Sequence, residues 1–374
     1  VLFAGDNPRA VLDIAWSSHY LGLWTLDAEG RRDTFSDFRR LRTDELFLIR
    51  EKTWHYTDGQ CDGDEHAAWT EETHGLDGDT RREEHRVNGG GGNISYSDLD
   101  MRTKWRDAPT FGEWGPMLAP DSGTPPIFEA GKHLATSSET VDVPWLPPVP
   151  LQPGNYLNDL LHEGAVVLFE GEFPMTTIHQ RIGAVSLPSG RLVVCSPTWP
   201  TGNLPSDRWA FTEVLPPGRY EVDKVVLTDT EWSSDGPGVA AAYVLRVADS
   251  PVIRWEMAVR GCEDTRTLDD GQYFAFARSR GTDGCLTSWE AVPELERMCR
   301  DDFEEWAFDT IPDYEDTELR LEGTEFDLIP FDCYFVDYMN PTWIGRDSED
   351  GVVCFLVDNL AVADSPEAWI ANKG

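Results

Sequence analysis

Nine prolines fall between Pro116 and Pro153: Pro116, Pro120, Pro125, Pro126, Pro144, Pro147, Pro148, Pro150 and Pro153. Each one fixes φ and removes a backbone donor, so this stretch cannot be a helix and favours extended, semi-rigid chain. It divides the sequence into an N-terminal domain at 1–118, a linker at 119–150 and a C-terminal domain at 151–374. A chain of 374 residues suits two domains. Apolar residues make up 40% of it, with 15 Trp, 17 Phe and 10 Tyr, enough to build packed cores rather than a disordered polymer.

The expected fold class is mainly β, of α+β type. His19–Leu26, Glu45–Thr57 and Asn93–Trp105 are rich in aromatic and β-branched residues and are separated by turn clusters such as 27–30 and 88–92. They predict an antiparallel meander closed into a small barrel or sandwich. Trp16, Trp24, Trp54, Trp69, Trp105 and Trp114 are expected to supply much of its core. The C-terminal domain reads as mixed α+β with a curved sheet. A short helix is expected around Tyr156–Leu161, between an Asn155 cap and Gly164. Strands follow at 165–169, 191–195, 220–227, 239–247 and 251–257. One long amphipathic helix is expected over Pro293–Phe308, where Leu295, Met298, Cys299, Phe303 and Trp306 recur at helical spacing. A last strand at Val352–Val357 is expected to end the sheet.

Charge narrows the partners. There are 68 acidic residues against 31 basic ones, a formal net charge of −37, spread along the chain rather than gathered in a tail. Direct nucleic-acid binding needs a basic footprint and is not expected. A solvated acidic shell serves solubility or steers a basic protein partner; dispersed carboxylates point only weakly to divalent cations. The seven cysteines show no CxxC spacing, so neither a zinc framework nor a disulfide scaffold is called for and free thiols are expected. No apolar run reaches membrane-spanning length and no basic-then-apolar leader pattern is visible in VLFAGDNPRA. A cytoplasmic protein with no membrane contact and no cofactor is the expectation.

The stretch from Tyr338 to Leu360, YMNPTWIGRDSEDGVVCFLVDNL, together with LPSGR at 187–191, LPPGRY at 215–220, the alanine-rich run at 239–243, PVIRWE at 251–256 and the turn at 281–285, resembles a bacterial family, domain-of-unknown-function family 4241, over about 187–360. The resemblance stops short of the N-terminal domain. Three signatures are altered. The family's C-D-P-like sequence reads Cys195-Ser196-Pro197, and its V-D-A-G-T-G-C stretch reads ARSRGTDGC at 277–285. Its glycine-rich S-G-W-G-D-G loop reads CYFVDY at 333–338, where only Asp337 matches. Such joint changes fit a lost site or one re-used for binding.

Several residues merit weighing as sites. On a strand, Arg254 and Glu256 share one face, which suits a ligand-positioning pair or a structural ion pair. Asp58, Asp62 and Asp64 have the spacing of a calcium loop, but Trp69 stands where the distal bidentate Glu belongs, so a flexible acidic turn is the plainer reading and no metal is assigned. His55, His66, His74 and His85 lack zinc spacing. Ser189 sits in a tight turn without G-x-S-x-G, and Cys195 and Cys285 lack an indicated histidine.

Three functions compete. The first is a non-catalytic acidic binding protein, an immunity-type partner of a basic protein, with Arg254, Glu256, Trp343 and Asp337 as binding residues. The second is a hydrolase with a carboxylate-lined cleft, using Asp337, Asp283 and Glu256 as acid–base groups. The third is a structural subunit that self-associates through the N-terminal β edges.

Overall fold

The computed structural model describes residues 2–4, 7–87, 90–96, 99–110, 112–118, 129–130, 146–197, 200, 206–228, 238–276, 283–299, 318–321, 323–333 and 340–363. Strands dominate it, and the chain divides into two compact units, Val1–Pro148 and Val149–Gly374. The proline-rich stretch opens on a helical turn, Gly115–Leu118, against the expectation of no helix there. Pro116 sits in the first turn, where its missing N–H costs nothing. Most of 119–150 lies outside the described residues. Its end docks on the second unit, where Val149 N–H donates to Asp270 Oδ1 at 2.7 Å and Leu151 N–H to the Gln272 carbonyl at 2.9 Å.

The first unit holds β1 (Leu2–Ala4), β2 (Asn7–Ala15), β3 (Tyr20–Leu26), β4 (Arg32–Arg42), β5 (Glu45–His55), β6 (Ala68–His74), β7 (Thr80–His85), β8 (Gly91–Tyr96), β9 (Trp105–Asp107) and β10 (Glu129–Ala130). They pair antiparallel in the order β10-β1-β2-β3-β4-β5-β6-β7-β8, with β9 beside β5. Among the described residues this path is open from end to end. The expected strand at 93–105 is instead two strands, β8 and β9, separated by a 3-10 turn at Met101–Lys104. There the Asp100 side chain accepts from Arg102 N–H and starts the turn.

Strand alternation explains where the tryptophans lie. Leu21, Leu23, Phe38, Leu46 and Leu48 bury one face of the sheet, with Trp114 and Met117 packed on them. On β3, Trp24 points to the opposite face from Leu21 and Leu23. There it packs against Phe35 with ring centroids 4.3 Å apart and stacks on Trp54 at 6.0 Å. The Lys52 ammonium lies 3.9 Å from the Trp69 ring centre, and Trp69 stacks on His85. Thus Trp24, Trp54 and Trp69 form a half-buried row braced by cations, and of the expected tryptophan core only Trp114 is fully buried.

The second unit contains β11 (Val166–Phe169), β12 (Phe173–Leu187), β13 (Leu192–Cys195), β14 (Gly218–Thr228), β15 (Val239–Arg246), β16 (Arg254–Met257), β17 (Asp283–Ser288), β18 (Leu319–Arg320), β19 (Asp327–Asp332), β20 (Thr342–Arg346) and β21 (Val352–Asp358). A curled seven-stranded sheet runs β11-β12-β14-β15-β21-β20-β16, and a four-stranded sheet runs β13-β17-β19-β18. Every pairing is antiparallel. The last strand does not end the sheet: β21 sits inside it, between β15 and β20.

Alternation again sorts the side chains. Tyr243, Leu245, Phe355 and Val357 face the four-stranded sheet and meet Leu192, Leu286, Ile329 and Phe331. Ala242, Val244, Cys354 and Leu356 face the other way and are covered by Leu151, Tyr156, Leu157 and Leu160. The helical turn Tyr156–Asp159 provides that cover; Asn155 makes no side-chain cap bond, and Gly164 adopts φ of 78°. On the far side of the four-stranded sheet, Val292 and Leu295 of a helix at 292–299 pack on Val193, Cys195 and Leu328. Of the long helix expected over Pro293–Phe308, the described residues carry the helix to 299. Phe303 and Trp306 lie outside the described residues. Among the described residues no helix is long and apolar enough to cross a membrane.

Candidate functional site

Two of the matched sequence segments meet at a glycine. The turn at 187–190 closes with Gly190 N–H donating to the Leu187 carbonyl, and Leu215 N–H then donates to the Gly190 carbonyl. Gly190 adopts φ of 77°, and an added Cβ would lie 1.7 Å from the Leu215 carbonyl oxygen. Only glycine permits that contact. Ser189 is exposed at the tip of this turn, which fits a connection rather than a nucleophile elbow.

The stretch that closes the second unit builds its most distinctive polar cluster. Strand β21 runs apolar until Asp358, which is completely buried. Its Oδ2 accepts from Tyr156 Oη at 2.7 Å and from Trp343 Nε1 at 3.3 Å, while its Oδ1 accepts from Leu360 N–H at 2.8 Å. Asn340 Nδ2 donates to the Asp358 carbonyl at 3.0 Å and to Asn359 Oδ1 at 2.7 Å. Asn359 in turn donates to the Ala240 carbonyl at 2.9 Å. Asp358 thus ties the helical turn, β20, β21 and β15 together. Burial pushes its carboxyl up to about 6, against the opposing pull of the Tyr156, Leu360 and Trp343 donors. Trp343, expected as a binding residue, is 1% exposed and serves this cluster from inside.

Two further buried carboxylates have cationic partners instead. Asp223 on β14 is held by Arg181 at 2.6 Å and by Arg246, which keeps its carboxyl below the usual range despite burial. Arg246 also reaches His179 Nδ1 at 3.0 Å; burial and that guanidinium depress the His179 imidazole. Asp327 on β19 accepts from Ser186 Oγ at 2.8 Å and from Arg219 at 2.7 Å. Asp358 differs from both because the side-chain and backbone donors it meets are neutral.

Arg254 and Glu256 share a face of β16, the edge strand of the seven-stranded sheet. Arg254 pairs with Glu256 and with Asp350. The other Glu256 oxygen binds Arg346 Nε, whose Nη2 reaches Glu213 at 2.6 Å. The pair is one segment of a five-residue ion network across the edge. Asp283 begins β17 in the other sheet, opposite Asp332. Asp337 lies outside the described residues, so its meeting with Asp283 or Glu256 is not observed.

The acidic turn between β5 and β6 is organised by cations. Asp62 Oδ1 accepts from Arg32 Nε at 2.8 Å and from Tyr56 Oη at 3.0 Å, and Asp64 Oδ1 accepts from His66 N–H at 2.9 Å. Asp58 is exposed in the same turn. Among the described residues no three His, Cys, Asp or Glu side chains come together as a metal cage. All seven cysteines are free; Cys195 and Cys285 face each other across β13 and β17 with sulfurs 3.6 Å apart, buried beneath the helix at 292–299.

Sequence reasoning missed Asp358, Tyr156, Asn340 and Asn359. A signal was available in the Asp-Asn pair that closes an otherwise apolar strand, since a charge there must be either exposed or paired. A family described as "Protein of unknown function (DUF4241)" matches residues 185–357, and the N-terminal region has no family match. No curated protein and no solved structure matches the chain.

Proposed function

Taking the match of residues 185–357 to DUF4241 as the premise, we propose that this chain is a non-catalytic acidic binding protein whose partner is a basic protein, in the manner of an immunity protein. The observation that carries this reading is how the cations are used. Arg31, Arg32, Arg42, Lys52, Arg82, Arg181, Arg219, Arg246, Arg254, Arg266 and Arg346 all bond to acidic side chains of the chain itself. Among the described residues such pairing takes up these cations, and with 68 acidic against 31 basic residues in the chain carboxylates remain in excess. A surface of that kind accelerates encounters with a basic protein and repels acidic ones.

The rival hydrolase reading leans on Glu256, Asp283 and Asp337. Both oxygens of Glu256 are bonded to guanidinium groups, which favours a structural role for it. We place the protein in a bacterial cytoplasm, where seven free thiols suit the reducing conditions. The test is calorimetric titration against the purified products of the genes flanking its own. A stoichiometric complex with a basic product is expected; binding to none of them, or only to an acidic one, would overturn the reading.

A further inference from the structure

The last hairpin of the N-terminal sheet leaves an edge with backbone groups aimed outward. Arg86 N–H donates to the Gly90 carbonyl, and the β7–β8 register pairs Glu84 with Gly92, Arg82 with Ile94 and Thr80 with Tyr96. Hydrogen-bonded pairs alternate along an antiparallel ladder, so the even-numbered residues of β8 bond to β7. Gly91, Asn93 and Ser95 therefore direct their N–H and carbonyl groups away from it. All six residues of β8 are exposed, and the strand carries no charge and no proline to discourage pairing. Ile94 and Tyr96, 48% and 41% exposed, project from the same face.

Beside this edge lies a groove of about 300 Å3 lined by Thr73, Asp79, Thr80, Arg81, Ser95 and Tyr96. Arg81 is tied to Glu83. No ion pair or side-chain hydrogen bond engages the Asp79 carboxylate among the described residues. A free carboxylate, the Thr73 and Ser95 hydroxyls and the Tyr96 ring in a space of side-chain size suit a lysine or arginine head group.

We infer that β8 is a docking edge: it takes an extended segment of the partner as an added antiparallel strand, with a basic side chain of that segment entering the groove at Asp79. The inference rests on the basic-partner reading above and adds to it a place and a mode. Main-chain bonds at Gly91, Asn93 and Ser95 supply register. Ile94 and Tyr96 cover apolar side chains at alternate positions, and Asp79 selects charge.

The test uses the full chain with a short capped peptide alternating valine and lysine, and a matched peptide alternating valine and glutamate. The lysine peptide is expected to bind and to slow amide hydrogen exchange at Gly91, Asn93 and Ser95, while the glutamate peptide binds at least tenfold more weakly. Asn93→Pro removes an outward donor without touching a β7 bond and is expected to weaken binding about tenfold, and Asp79→Asn about fivefold, each with unchanged circular dichroism. If the lysine peptide binds Asn93→Pro and Asp79→Asn as tightly as the native chain, the docking edge is wrong while the acidic-partner reading stands. Failure of the lysine peptide to bind overturns the inference, whereas failure of every flanking gene product defeats the parent reading. Protection of the same amides in concentrated protein alone, with dimers in sedimentation, would assign the edge to a second copy of the chain and overturn the basic-segment inference.

Discussion

Asp358 is completely buried. Its partners Tyr156 and Trp343 are neutral, and its folded pKa of about 6 stands above the ordinary carboxyl value of 3.8. A raised folded pKa contributes stability that is fully present below the unfolded value and is lost as pH rises through the folded one. Between pH ~4 and ~6 this group is therefore expected to withdraw about 2–3 kcal/mol, in opposition to paired carboxylates such as Asp223. Carboxyl-detected NMR of the folded protein checks it: a midpoint near 6 for Asp358 is expected, and one near 3 would mean that the three donors outweigh burial. Gly190→Ala is expected to cost more than about 3 kcal/mol in urea unfolding, because the Leu215 carbonyl occupies the site of the new methyl. Neither residue was legible in the sequence for what it does. The turn LPSGR was visible as a turn, but Leu215 is brought to it only by folding. Asp358 meets Tyr156 across 202 positions of chain, and no local pattern encodes such a pairing.

At the scale of elements, local patterns carried as far as local physics does. Enrichment in aromatic and β-branched residues between turn clusters located β3 and β5, and an apolar run located β21. Such enrichment does not say which face of the N-terminal sheet is the core, and Leu21 and Leu23 hold that place rather than the tryptophans. Aromatic side chains on the other face find cations instead, as Trp69 finds Lys52. The Pro293 start signal located the helix at 292–299, whose Leu295 is fully buried against the four-stranded sheet. Leu295→Ala is expected to destabilise the protein by about 2–5 kcal/mol, through lost burial plus a cavity, as read by urea denaturation. A cost below about 1 kcal/mol would show that the helix is not packed as described.

For the whole molecule, the formal charge of −37 governs two responses to salt that differ in sign. Within the isolated protein, screening relieves repulsion among unpaired carboxylates, so the melting temperature is expected to rise between about 50 and 500 mM salt. The internal ion pairs weaken over the same range, but exposed pairs contribute little each and the acidic excess decides the sign. Between proteins, screening removes attraction, so binding to a basic partner is expected to weaken. The most direct check is stopped-flow measurement of the association rate constant with the basic product of a flanking gene over that salt range. A fall of about tenfold or more with a nearly constant dissociation rate is expected. An association rate indifferent to ionic strength would contradict it.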